Sequence, residues 1–273
     1  MSGQKNTLAP FQQWINDKAQ WEQLAAYMRQ ESNLPGPRSN LGLAESFAQL
    51  YGHSAVTETA WELLLTWVNI AEADAGTNDP SEFLPFCAVC AAGAHYGYAK
   101  EERRSVIQAM LQSAMNDSRW RMREAAAMAM QNIGEFDFVL LRQLLDMWSV
   151  DANMLEQRAF VAALAHPPLL KGQENTRYCL NLAAGIMEEL LSSAGVPSDR
   201  EHYRVLSKGL EYSLSVFVAS EPEAGFAMLR HFAESGDARI SKIVKSNLGK
   251  ARLSKKYGPQ VADLLLRMGL TRD

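Results

Sequence analysis

Cys87 and Cys90 stand at i and i+3, with His95 five residues further on, and this is the nearest approach in the chain to a metal or redox motif. Structural zinc takes four thiolate or imidazole ligands, and neither a second Cys-x-x-Cys nor a pair of closely spaced histidines accompanies it. Thioredoxin-like chemistry needs a strand ahead of the motif, and none is read there. Phe86, Cys87, Val89, Cys90 and Ala91 therefore read as a buried face of small and apolar residues. His53, His166, His202 and His231 are scattered, with no His-Glu-x-x-His. Glu188-Glu189 with Glu174 lacks the Glu-x-x-His of a carboxylate metal site and reads as an exposed helix face. No glycine pattern forms a phosphate loop and no serine sits in a nucleophile elbow. No catalytic residue, cofactor or metal is assigned.

Charge gives a clearer signal. From Asp237 to Asp273 there are nine cations, at 239, 242, 245, 250, 252, 255, 256, 267 and 272, against three acids, so this segment carries +6 and residues 1–236 carry −10. Such a gradient suits a phosphate backbone, because each neutralised phosphate releases condensed counterions. It equally suits the solvated outer face of a terminal helical element. The residues singled out for binding are Lys242, Lys245, Lys250, Arg252, Lys255 and Lys256, together with Trp120 and Arg123. A second feature is the loop Pro35-Gly36-Pro37-Arg38-Ser39-Asn40. There Arg38 beside a helix start either holds an anion or pairs with an acidic neighbour, and the turn residues have a sufficient local reason to be there.

These side chains need elements to position them. The chain has 273 residues, 47% of them apolar, which is enough for a continuous core. Its net charge of −4 gives no global attraction to nucleic acid or to an anionic membrane, so any such binding must be local. Three cysteines make no disulfide framework. The N-terminus lacks the basic and apolar regions of a secretory signal, and no run approaches the roughly 18 apolar residues of a membrane span. A cytoplasmic protein is expected.

The ten prolines leave residues 86–166 free, and the composition favours Ala, Leu, Met, Glu, Gln and Arg over alternating β-branched residues. The fold class is all-α. Apolar spacings of three and four predict helices near 10–31, 40–51 and 56–73, then 81–98 paired with 101–116. A helix over 119–133 buries Met122, Ala126, Ala129 and Ile133 and ends at Gly134. Partner helices follow near 137–149, 174–193, 222–235 and 258–269. Residues 75–80 mark a boundary between an N-terminal helical subdomain, 1–79, and a repeat region, 80–273, which could also form one continuous domain.

Aligning the helices around 120–123, 155–158, 205–208 and 242–245 places a basic residue at 123, 158, 208 and 245, separated by 35, 50 and 37 residues, with an insertion around 192–200. The run Asp117-Ser118-Arg119-Trp120-Arg121-Met122-Arg123-Glu124-Ala125-Ala126-Ala127 resembles the second helix of a HEAT repeat. This resemblance spans about 81–273. It implies an α-solenoid of stacked antiparallel helix pairs, with a concave face lined by the second helices, and in such folds the basic position often bonds a neighbouring repeat. The run Ile240–Lys256 is similar to the tail of the HEAT-like DNA alkylation repair glycosylases, which grip DNA on a basic concave surface. Their helix-opening Trp-Asp pair has no counterpart: Trp61-Glu62 is the nearest echo, and Trp120 and Trp148, with Asp146 or Asp151, are the alternative cleft residues. The expectation is a non-enzymatic scaffold that binds a protein partner. The alternative is a nucleic-acid-binding or DNA-repair relative that uses the basic C-terminal surface.

Overall fold

The computed structural model describes residues 8–193 and 199–269. The N-terminal leader question, part of the 192–200 insertion, and Arg272 with Asp273 lie outside the described residues. Those described form fifteen α-helices and no strand. They group into two compact units, residues 1–142 and 143–273.

The first unit holds α1 (Leu8–Trp14), α2 (Trp21–Gln30), α3 (Leu41–Gln49), α4 (Glu58–Val68), α5 (Phe83–Tyr96), α6 (Glu101–Met115) and α7 (Trp120–Phe136). The single helix expected over 10–31 is two helices. Asn16 donates its side-chain amide to the Gln12 carbonyl and Asp17 accepts from the Ala19 amide, so both side chains compete with the helical ladder, and no Gly or Pro advertises the break. The Asn40 carboxamide accepts from Leu43 at 3.1 Å, capping α3 as its residue type predicts. α4 stops at Val68, short of 73. α7 runs through Gly134 to Phe136, whose ring lies against Gly97 and Tyr98, so the glycine is interior and not a cap.

α5 is the centre of this unit. Every residue from Phe83 to Tyr96 except Ala94 is buried, because α3, α4, α6 and α7 all pack on it. Its small residues let α7 come close: a methyl group on Gly93 would sit 2.4 Å from the Ala129 Cα. The loop at 75–80 lies inside this unit, whose helices on either side of it, α3 and α4 before and α5 after, share one core.

α8 (Phe138–Trp148) spans the point where the units part. The second unit continues with α9 (Met154–Leu164), α10 (Gln173–Ser192), α11 (Arg200–Ser220), α12 (Pro222–Ala233), α13 (Ala238–Leu248), the single turn α14 (Ala251–Ser254) and α15 (Gly258–Arg267). Here α11 is central, packed against α9 and α13, with α10 and α12 against it and against each other. In both units alternate helices lie side by side and the intervening helices pack against them.

One Asp-x-Arg turn recurs ahead of a helix. Asp117 and Asp237 each accept from the backbone amide two residues on, and each takes the guanidinium of that same residue, Arg119 or Arg239, on both carboxylate oxygens. Each arginine then reaches back to carbonyls that end an earlier helix or loop: Ile70 and Ala75 for Arg119, Ser193 for Arg239. At Asp237 the aspartate also caps α13, whereas at Asp117 it closes the turn ahead of α7; in both the arginine tethers that turn to an earlier segment.

Candidate anion-binding surface

The basic C-terminal surface is built on α11. Its apolar stripe, Leu206, Leu210, Leu214 and Phe217, is buried, and the opposite face carries Lys208 and Tyr212. α13 is held against α11 in one register by Asn247, which is fully buried. Its amide donates to the Leu210 carbonyl at 2.9 Å and its oxygen accepts from the Ser215 amide at 2.8 Å, while the Ser246 hydroxyl donates to the Glu211 carbonyl. A side chain inserted into the helical ladder leaves neither the rotation nor the translation of α13 free. That register brings the cations of α13 and α14 to Glu211 and Tyr212.

Glu211 is buried and receives Lys208 at 2.8 Å and Lys242 at 3.2 Å. Burial pushes its pKa up, and the two ammonium groups more than offset this, holding the carboxyl below the usual carboxylate range. One carboxylate is shared by two ammonium groups, so the charge of Lys242 is partly compensated within the protein. The other cations are not: among the described residues no carboxylate pairs with Lys245, Lys250, Arg252, Lys255 or Lys256. Arg252 lies over the Tyr212 ring at 4.8 Å and donates to its hydroxyl at 3.0 Å, and the Lys250 ammonium is 6.0 Å from the same ring. Lys256 sits over Tyr257 at 5.2 Å. Tyr212 itself is 49% exposed. The result is an exposed aromatic ring set among unneutralised cations, a pattern suited to phosphates and to the π-face of a base.

Trp120 and Arg123 do not belong to this cluster; they are residues of the first unit. The Trp120 indole, 42% exposed, lies on the Arg121 guanidinium at 4.3 Å. Arg123 donates to the carbonyls of Asp117 and Ser118, bonding the turn that leads into its own helix. Of the four aligned basic positions, Arg123 and Arg158 are half-buried while Lys208 and Lys245 are exposed.

The remaining candidates resolve into packing. Cys87, Cys90 and Cys179 are free and buried, and burial pushes the Cys90 and Cys179 thiols up to about 12. No group of three metal-ligating side chains occurs among the described residues. Trp61 is buried with Arg103 stacked on it, and Glu62 pairs with Lys18. Trp148 is buried and stacked on Phe160, while Asp146 accepts from the Tyr178 hydroxyl and lines a pocket that Trp148 does not line. Arg38 is exposed, and among the described residues no ion pair engages it. Its loop serves instead through the Gly36 carbonyl, which accepts from Arg121.

Sequence reasoning found the cations and missed Tyr212, Glu211 and Asn247. Tyr212 had a visible signal, an aromatic on the polar face of an amphipathic helix. Comparison with protein-family models, curated proteins and solved structures finds no match.

Proposed function

We propose that this chain is a helical-repeat scaffold of the HEAT-like kind and that its second unit binds nucleic acid on the surface formed by α11, α13 and α14. The observation that carries the reading is Tyr212, exposed and flanked by Arg252 and Lys250, with Lys245, Lys255 and Lys256 uncompensated by any carboxylate. The packing of alternate helices in each unit supports stacked helix pairs, and the recurring Asp-x-Arg turns at Asp117 and Asp237 support a repeated element. No described helix is long and apolar enough to cross a membrane, and a cytoplasmic location belongs to the same proposal.

The reading is one of binding rather than catalysis, because Trp61 and Trp148 are buried in packing and Glu62 is paired with Lys18. Titration of fluorescent single-stranded and duplex DNA, with and without an alkylated base, tests it at low and at physiological salt. Salt-sensitive binding that persists at physiological salt is expected, lost when Lys245, Lys250, Arg252, Lys255 and Lys256 are all changed to Glu. Binding unchanged in that variant would overturn the proposal. Release of the alkylated base would overturn its non-enzymatic part.

A further inference from the structure

Phosphates give a use to the cations of the second unit but not to the rings set among them. Tyr212 stands on the polar face of α11 and is 49% exposed, where a role in core packing would have buried it. Its hydroxyl accepts from Arg252 at 3.0 Å, and the guanidinium lies 4.8 Å from the ring centroid. A second aromatic–cation pair follows just after α14. There the Lys256 ammonium is 5.2 Å from the ring of Tyr257, which is half-buried and packs edge to face on Phe226 at 5.5 Å. The backbone that carries both pairs is fixed. Leu253 is fully buried, the Lys250 amide donates to the Asn247 carbonyl at 3.0 Å, and the Tyr257 amide donates to the Leu253 carbonyl at 2.8 Å. The turn is thus formed before any ligand arrives, which lowers the cost of binding one.

The ring decides which ligand uses the whole surface. A duplex presents phosphates and base edges, but its base faces are stacked on one another and are reached only by unstacking them at a cost. An anionic lipid surface or a phosphorylated protein presents phosphate without a base. A single strand presents phosphates and free base faces together, and every base has a π-face, so stacking on a tyrosine selects no sequence. We propose, resting on the nucleic-acid reading above, that the occupant of this surface is a single strand and not a duplex. One base stacks on Tyr212, and the neighbouring phosphates meet Arg252 and the lysines at 245, 250, 255 and 256.

The test uses the full chain and three fluorescein-labelled probes, followed by anisotropy at low and at physiological salt. They are a mixed-sequence DNA strand of about 16 nucleotides, its duplex with the complementary strand, and an abasic strand of the same length with the same phosphates and no bases. At physiological salt the single strand is expected to bind at least about tenfold more tightly than the duplex or the abasic strand. Tyr212→Leu keeps an apolar side chain without a π-face and should bring the single strand down to the level of the abasic one. Tyr212→Phe keeps the face and should stay within about threefold of the wild type. Circular dichroism melting checks that each variant folds, and if Tyr212→Leu does not, the comparison of the three probes on the wild type carries the test. A duplex or an abasic strand bound as tightly as the single strand overturns this proposal and leaves the nucleic-acid reading standing, the second outcome making the surface one for phosphates alone. Equal binding of the single strand by the wild type and a folded Tyr212→Leu variant overturns it as well. Absence of binding by all three probes at both salt concentrations overturns the proposal and the nucleic-acid reading together.

Discussion

The His95 ring is 1% exposed, with Nδ1 at 3.2 Å from the Tyr51 carbonyl oxygen and Nε2 turned to the Arg103 guanidinium at 3.5 Å. A carbonyl can only accept and a guanidinium can only donate, so the ring is the neutral tautomer protonated at Nδ1. Burial lowers its pKa, the Tyr51 hydrogen bond opposes this, and the Arg103 charge lowers it further. The folded chain therefore resists a proton that the unfolded chain accepts near the ordinary histidine value, and stability falls as pH drops below about 6.5. His95→Gln keeps a donor for Tyr51 and an acceptor for Arg103 but cannot titrate. Urea midpoints taken at about pH 7 and about pH 5.5 should fall further for the wild type than for this variant; equal falls would dismiss His95 as the cause. A second buried device is the pair Glu82–Arg121 at 3.1 Å, with Arg121 also donating to Gly36 and to Asn78. Glu82→Ala leaves a buried guanidinium without its counter-ion and should cost about 3 kcal/mol or more, while Glu82→Leu with Arg121→Met should recover most of that loss in a denaturant titration. Neither device was legible in the sequence. Arg121 reads there as one of three arginines on a polar face, and its burial is imposed by the Gly36 and Asn78 loops, which are distant in the chain.

Helix identity was far easier to read than helix termini. The periodic apolar residues of α3, α6, α7 and α10 placed those helices, because burial of one face is a long-range average over many residues. Termini depend on single side chains, such as Asn16 and Asp17 at the break after α1 or Phe136 beyond Gly134, and these compete at the level of about 1 kcal/mol. Glycines show what element packing adds. At Gly93 an added Cβ would meet the Ala129 backbone at 2.4 Å, whereas at Gly185, exposed on α10, it would meet nothing within 4 Å. Both are interior helical glycines and both gain helix propensity as alanine, by about 0.5 to 1 kcal/mol. The expected outcome is opposite in sign: Gly185→Ala raises the thermal midpoint, and Gly93→Ala lowers it because α5 and α7 must separate, at a cost of about 1 to 3 kcal/mol. Two stabilised variants in calorimetry would show that the α5–α7 contact tolerates separation.

Across the whole molecule the charge is unevenly distributed. Residues 1–142 carry −5 and residues 143–273 carry +1, and the latter value conceals the +6 of the last 37 residues. That asymmetry was visible in the sequence, but which cations remain available was not, since Glu211 pairs with Lys242 only once α13 is docked on α11. The distinction is measurable through counterion release. Five uncompensated cations that each meet a duplex phosphate give a slope of about −4.5 for log K against log salt, and about −3.5 for a single strand. Lys245→Ala should make the duplex slope shallower by about 0.9, whereas Lys242→Ala should change it by less, because its charge is partly matched inside the protein by the carboxylate it shares with Lys208. Tyr212→Ala should weaken single-strand binding by about tenfold at constant slope, since stacking on a base releases no counterion. Equal effects of Lys242→Ala and Lys245→Ala on the slope would mean that Glu211 does not hold Lys242 in the complex. A Tyr212 variant that binds single strands as tightly as the wild type would remove the aromatic ring from the contact and leave a purely electrostatic one.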